Sequence, residues 1–140
     1  MSTTLTVADA VVTELNAASF SQAFTATRDV VPEFDATELA SLAVTVVPVS
    51  NDMEQITRGQ WKDEHEINIG IQKKLSGNVN TTIADMATLV KEIAVYMRNR
   101  SLSALSTVRP IECKIEPVYD ADYLSGTRIF MSLIKITYRE

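Results

Sequence analysis

The spacing of apolar and polar positions divides the chain into segments with helical and with strand periodicity. Apolar residues recur every three or four positions from Val7 to Ala17 and from Thr81 or Thr82 to about Arg98, which predicts two helices with Thr6 as the N-cap of the first. Strand-like segments are predicted at Ala23–Val31, Leu42–Val49, Lys62–Lys73, Ile111–Val118 and Thr127–Tyr138. The order α-β-β-β-α-β-β predicts an α+β fold with one mostly antiparallel sheet and two helices packed on one face, in a single domain spanning 1–140.

The last predicted strand is apolar in both of its alternating sets of positions. One set holds Ile129, Met131 and Leu133, and the other holds Phe130, Ile134, Ile136 and Tyr138. A strand of this kind is usually buried on both faces. Two helices can cover only one face, so we expect the other to be covered by another part of the chain or by a neighbouring subunit.

The segment Ser50–Trp61 shows no clear periodicity and predicts a long loop at about 50–62. Loops of this length in compact domains are usually functional or mobile. Its Trp and Arg are residue types that concentrate in interface hot spots, whereas Trp61 could instead cap the core beside Ile67. The residues that we predict to contact a neighbour are Met53, Gln55, Ile56, Arg58, Gln60 and Trp61.

Charge and composition argue against several kinds of partner. The net charge of -5 and the absence of a basic stripe do not favour a nucleic-acid-binding domain. The N-terminus lacks the charged and apolar pattern of a signal peptide, and no apolar run approaches the length of a membrane span. We therefore expect a protein made in the cytoplasm, with no membrane partner.

Candidate chemistry is sparse. The sequence has no phosphate-binding glycine loop, zinc-protease motif or nucleophile elbow, so we predict no enzyme, no cofactor and no metal site. His65 begins the apolar stripe of its strand and is expected to be satisfied by a neighbour. A catalytic alternative would need a pocket that gathers His65 with two or more carboxylates.

The remaining candidate groups also favour structural interpretations. Cys113 lies on the predicted apolar face of its strand and is expected to be a small buried hydrophobe. As the one cysteine, it can form no internal disulfide. The acidic pairs Glu33 with Asp35 and Asp120 with Asp122 lack the spacing of an EF-hand and are interpreted as solvated turn residues.

Several short strings resemble, in their order, the tail-terminator and tail-completion proteins of long-tailed phages. The strings are Val11–Asn16, Phe20–Ala26, Val31–Phe34, Val44–Pro48, Ile71–Lys74 and Glu116–Tyr119. The resemblance covers most of the chain and includes no catalytic signature.

The resemblance implies a non-enzymatic ring, with six copies in the family, at the head-proximal end of the tail. Such a ring stops polymerisation of the tail tube and offers a surface for head docking. The implied partners are further copies of the chain, the tail-tube protein and a head-completion or connector protein, with viral DNA passing through the lumen without specific binding. A head-completion or stopper ring at the same junction stays open as an alternative. A small enzyme and a small-molecule-binding domain are the alternatives from other classes.

Overall fold

The computed structural model describes residues 3–22, 24–28, 42–74, 79–103, 105–116 and 129–140. Its elements are α1 (Thr4–Ala17), β1 (Ala26–Arg28), β2 (Ala43–Thr57), β3 (Gln60–Lys74), α2 (Val79–Met97), β4 (Arg109–Ile115) and β5 (Ile129–Arg139). This order confirms the predicted α-β-β-β-α-β-β arrangement.

The strands form one five-stranded sheet in the order β1-β2-β3-β5-β4. The short β1 runs parallel to β2, and every other neighbouring pair is antiparallel. The sheet is therefore mixed and mostly antiparallel. The sequence-neighbouring strands β2 and β3 form a hairpin at its centre.

Both helices pack near the sheet and bury a common core against it. Helix α1 contacts β1, β2 and β3, whereas α2 contacts β4 and β5. The core contains Val7, Val11 and Leu15 from α1, Met86, Leu89, Ile93 and Met97 from α2, and Val44, Val46, Ile67, Ile69, Ile71, Ile134 and Ile136 from the sheet. These positions follow the predicted stripes, since a helix buries residues three and four apart and a strand buries alternate residues.

The predicted loop at about 50–62 is wrong as a description of the backbone. Strand β2 continues to Thr57, β3 begins at Gln60, and Arg58 and Gly59 alone form the turn. We call Ala43–Val47 and its partners Asn68–Gln72 the hairpin base, and Met53–Trp61 the hairpin tip. The tip is exposed on both sides, so its side chains have no burial pattern from which a strand could be predicted.

The final strand has one fully buried face and one partly covered face. Phe130, Ile134, Ile136 and Tyr138 are buried under the helices. On the opposite face Ile129 is buried, but Met131 and Leu133 are only half-buried. The expectation of complete burial on both faces is therefore too strong for this chain by itself.

Several details of the elements also differ from the predictions. Helix α1 begins earlier than expected, because the Thr3 hydroxyl accepts a hydrogen bond from the Thr6 amide at 3.2 Å and acts as the N-cap. In β4 the register shifts between Pro110 and Glu112, which leaves Ile111 exposed instead of aligned with Cys113 and Ile115. In the first predicted strand only Ala26–Arg28 pairs, and residues 23 and 29–31 lie outside the described residues.

A buried carboxylate ties α1 to the chain that follows α2. Glu14 accepts hydrogen bonds from the Ser103 amide at 2.6 Å and from the Ser103 hydroxyl, and Arg100 Nε lies 3.9 Å from its other oxygen. The bonds from the Ser103 hydroxyl and amide, followed by the charge of Arg100, lower the pKa of Glu14 despite its burial. Ionised Glu14 therefore stabilises the packing of the helical layer over the hairpin base.

A candidate assembly interface at the hairpin tip

All six predicted contact residues lie on the hairpin tip, and all are exposed. Among them, Met53 is 67% exposed, and Ile56 and Trp61 are each 62% exposed. Trp61 therefore does not cap the core beside Ile67, which was the structural alternative for this residue. Large apolar side chains gathered on a protruding element form the kind of surface that marks an interaction site.

The strand register divides the tip into two different sides. Met53 pairs with Asp63, and Gln55 pairs with Trp61, while Glu54 between them pairs with Lys62. Because side chains alternate along a strand, Met53 and Trp61 are diagonal neighbours on one side, and Glu54 and Lys62 face the other side. The pairing shifts between Gln55 and Thr57, which places Ile56 at an irregularity beside the turn.

A row of ion pairs covers the second side. Lys62 Nζ lies 3.3 Å from both Glu54 Oε2 and Glu64 Oε1, and Arg139 Nη2 lies 2.8 Å from Glu64 Oε1. The bond from Arg139 is the main cause that lowers the pKa of Glu64, and the bond to Glu54 is the main cause that raises the pKa of Lys62. This side of the hairpin therefore has charge partners within the chain.

The Met53 and Trp61 side is uncovered because the helical layer ends before it. This side continues toward His65, whose ring Nδ1 lies 3.0 Å from the hydroxyl of Thr4, the first residue of α1. Trp61 lies four residues farther along β3, roughly 13 Å at the rise of a strand. In the described chain, helix α1 covers the hairpin as far as His65 and no farther.

The turn at the end of the tip depends on its glycine. Gly59 has φ +87°, a conformation that costs glycine little and other residues more. From Ser50 to Thr57 the outer part of β2 spans roughly 25 Å, so the turn lies well beyond the core. The result is an arm that another molecule can reach from several directions.

His65 has more polar neighbours in the structure than its place in the sequence indicates. Its Nδ1 has the expected neighbour in Thr4, but its Nε2 faces Asp63 and Glu140, with oxygen atoms at 3.5 and 3.8 Å. The structure thus gathers His65 with two carboxylates, as the catalytic alternative required. The His65 side chain is 0% exposed, however, so a substrate has no access to its ring. Glu140 is 75 residues away in sequence and meets His65 only through the β3–β5 pairing, which no local motif indicates.

Cys113 fits the predicted role of a small hydrophobe. It is half-buried against the core, and burial raises the pKa of its thiol despite the opposing charges of Arg98 and Lys91. A thiol in these surroundings is a poor nucleophile at neutral pH. The acidic candidates Glu33, Asp35, Asp120 and Asp122 lie outside the described residues.

The outward face of α2 is less solvated than its polar sequence indicates. Glu92 accepts a hydrogen bond from the Ser21 amide at 3.1 Å. The rings of Tyr96 and Phe20 pack edge-on, with their centroids 5.3 Å apart. Arg100 also lies over the Tyr96 ring, 4.0 Å from its centre. The chain segment after α1 therefore occupies part of this face, which leaves the hairpin tip as the more open candidate surface.

No helix within the described ranges combines the length and apolar character needed to cross a membrane.

Comparison with known proteins gives similarities to solved structures only. No protein-family model matches the chain, and no curated protein matches it. Among solved structures, the chain is similar to a chain from the virion of a native gene transfer agent particle, with 16% sequence identity and a TM-score of 0.45. The similarity covers 95% of this chain and 91% of the other.

Proposed function

We propose that this protein is a phage structural protein that assembles into a ring at the head-proximal end of the tail. There it terminates the tail tube and provides the surface to which the head docks. The observation that carries the proposal is the hairpin tip, an arm that extends beyond the core and ends in exposed apolar side chains. The resemblance of the ordered sequence strings to tail-terminator proteins supports the specific role.

The exposed side chains provide the free energy for such an assembly. Met53, Ile56 and Trp61 are mostly in water in the isolated chain. Burying a large apolar side chain contributes roughly 1.5–3 kcal/mol, and tryptophan is prominent among the residues that dominate binding energy. A two-stranded hairpin is only marginally stable in water, so contact with a neighbour would also hold the tip in its conformation.

The position of the arm favours a head-to-tail contact between copies. The tip of one copy would contact a different surface on the next copy, because the tip and the core are separate parts of the molecule. A contact of this kind closes into a ring when its rotation closes. The contact residues in this proposal are Met53, Gln55, Ile56, Arg58, Gln60 and Trp61.

The proposed partners follow from the same location. They are neighbouring copies of the chain, the tail-tube protein on one side, and a head-completion or connector protein on the other. Viral DNA would pass through the lumen without specific binding, because the net charge of -5 per chain opposes its attraction. The protein would be made in the host cytoplasm and reside in the virion, with no catalytic role and no membrane contact.

Light scattering after size-exclusion chromatography, combined with negative-stain electron microscopy, tests the assembly. We expect a defined oligomer with a central hole, and we expect Trp61→Ala to shift the protein toward monomer while circular dichroism stays unchanged. Ile111→Ala is the matched control, because Ile111 is 43% exposed on β4, a strand that pairs with β5 and not with either strand of the hairpin. A protein that stays monomeric at every concentration, also with tail-tube protein added, would contradict the proposal.

Binding measurements separate the terminator role from its alternative. A terminator binds the end of the tail tube, whereas a head-completion or stopper ring binds the portal or another head component. Pull-down with each purified partner therefore decides which position the protein occupies at the head–tail junction. Binding to head components alone would contradict the terminator role and support the head-completion role. It would not contradict assembly into a ring.

A further inference from the structure

Three ionisable side chains converge where β3 leaves the hairpin tip and β5 ends. One oxygen each from Asp63 and Glu140 and a ring nitrogen of His65 all lie within 4.8 Å of one another. The Glu140 amide donates a hydrogen bond to the Asp63 carbonyl at 3.0 Å, which extends the β3–β5 ladder and fixes the spacing of the two carboxylates. The cluster is therefore held by backbone pairing.

The histidine of this cluster is buried and has an unpartnered nitrogen. The His65 side chain is 0% exposed, and its Nε2 has no hydrogen-bond partner. Nδ1 lies 3.0 Å from Thr4 Oγ1, which can hold the ring with the proton on Nδ1. The Nε2 lone pair then points toward two carboxylates, an arrangement that is unfavourable unless a cation lies between them.

The distances fit a metal ion better than direct hydrogen bonds. Asp63 Oδ2 lies 3.5 Å and Glu140 Oε2 lies 3.8 Å from Nε2, both beyond good hydrogen-bond length. Ligand atoms about 2.1 Å from a tetrahedral zinc ion are separated from one another by about 3.4 Å. The two nitrogen–oxygen distances are therefore within about 0.4 Å of this spacing, and the two carboxylate oxygens lie no more than 4.8 Å apart.

We propose that Asp63, His65 and Glu140 bind a divalent transition-metal ion of the zinc class, with Thr4 as the positioning residue for the imidazole. One imidazole with two carboxylates is a ligand set that suits zinc. A hydrogen bond from the second ring nitrogen of a ligating histidine is the usual way in which its orientation is fixed. The side chains of Asp63 and Glu140 are 22% and 15% exposed, which gives the ion a path from solvent.

The position of this site also gives it a mechanical consequence. The ion would join β3 to the end of β5, with Thr4 of α1 bonded to one of the ligands. Asp63 is paired with Met53 across the hairpin, so the site lies at the root of the hairpin tip. Metal binding would therefore fix the direction of the arm relative to the core. The metal site does not depend on the proposed ring role, because it rests on a different set of residues.

Isothermal titration of the full, metal-free chain with Zn²⁺ at pH 7.5 tests the site, with Mg²⁺ as the comparison ion. We expect saturable binding of one Zn²⁺ per chain, no comparable binding of Mg²⁺, and a melting temperature that rises with Zn²⁺ concentration. Asp63→Asn and Glu140→Gln keep side-chain size, and each should weaken Zn²⁺ binding by at least about tenfold. Thr4→Val should weaken it by about tenfold, as expected for loss of an orienting partner.

Two further measurements keep the proposal open to contradiction. Glu112→Gln is the control for general loss of surface charge, since Glu112 is exposed on β4, and it should leave Zn²⁺ affinity unchanged. X-ray absorption of the unmodified Zn²⁺-loaded protein should show one imidazole among oxygen ligands, a result that needs no variant to fold. Absence of saturable Zn²⁺ binding, or equal affinity in the Asp63, Glu140 and Glu112 variants, would overturn the proposal.

Discussion

The base and the tip of the β2–β3 hairpin have the same backbone pairing but opposite surroundings. In the base, Val44 and Ile69 lie beneath the helices with essentially no exposure, whereas Ile56 and Trp61 in the tip are exposed on a segment that the helices do not reach. The base is therefore stabilised by burial within the chain. The tip is held within the chain mainly by its backbone ladder and surface ion pairs, so a neighbouring molecule can contribute most to its stability.

The largest difference is expected when isoleucine is replaced by alanine in the hairpin base and, separately, in the hairpin tip. Ile69→Ala removes buried volume from the base and should lower the free energy of unfolding by about 2–5 kcal/mol. Ile56→Ala in the tip should change it by no more than about 0.5 kcal/mol in dilute, monomeric protein. Urea denaturation of both variants measures the difference. Equal destabilisation would show that the tip is packed against its own chain.

Loss of the buried charge of Glu14 above the hairpin base should lower the free energy of unfolding more than loss of any charge on the hairpin tip. Glu14→Ala removes hydrogen bonds to a charged acceptor and should cost about 1.5–3 kcal/mol. Since its pKa is lowered in the folded chain, Glu14 contributes full stability above the ordinary value of 4.5 and loses that contribution as pH falls through the folded pKa.

Denaturation curves between pH 7 and pH 3 check this second prediction. Glu14→Gln keeps an acceptor for Ser103 but cannot be protonated, so its stability should fall less steeply with acid than that of the unmodified chain. If the stability of the two proteins falls identically with acid, Glu14 does not contribute to the acid sensitivity of the fold.

A smaller effect is expected at the turn of the tip. Gly59→Ala places a side chain at φ +87°, which should cost about 1 kcal/mol in the local hairpin. Since nothing lies within 4 Å of the added carbon, the cost is conformational and not steric. Amide hydrogen exchange should become faster in the tip and stay unchanged in the base. Faster exchange throughout the sheet would mean that the tip and the base unfold as one unit.

The smallest effect is expected from the exposed ion pairs of the tip. Glu54→Gln removes one partner of Lys62, which keeps Glu64 as its second partner. Exposed pairs of this kind contribute little, so the melting temperature should stay within measurement error at physiological salt. A clear loss of stability that vanishes in high salt would show that the ion-pair row holds the tip in place.

The hydrophobic pattern predicted the covered parts of the fold well. The stripes in α1, α2, β3 and β5 appear where burial on one side forces a regular period. The same reasoning failed at residues 50–61, because a strand that is exposed on both sides need not alternate apolar and polar residues. The available indications were local ones: Gly59 beside Arg58, with β-forming Ile56, Thr57 and Trp61 on either side.

The candidate interface and the candidate metal site also differ in how far the sequence predicts them. Trp61 and Arg58 could be selected from residue type alone, and the structure places them on one exposed arm. The Asp63, His65 and Glu140 cluster could not be predicted, because His65 and Glu140 meet only when β3 and β5 pair in one particular register. A shift of one residue would turn either side chain to the other face.

The sequence by itself determined the order of elements, the α+β class and most of the core, because these depend on periodicity within short segments. Only the tertiary structure decided that residues 50–61 form a projecting hairpin, that α1 ends its cover at His65, and that one face of β5 is left partly open at Met131 and Leu133. These features depend on how far one element extends past another. Local patterns record which residues are buried, but the packing of distant segments decides where burial stops.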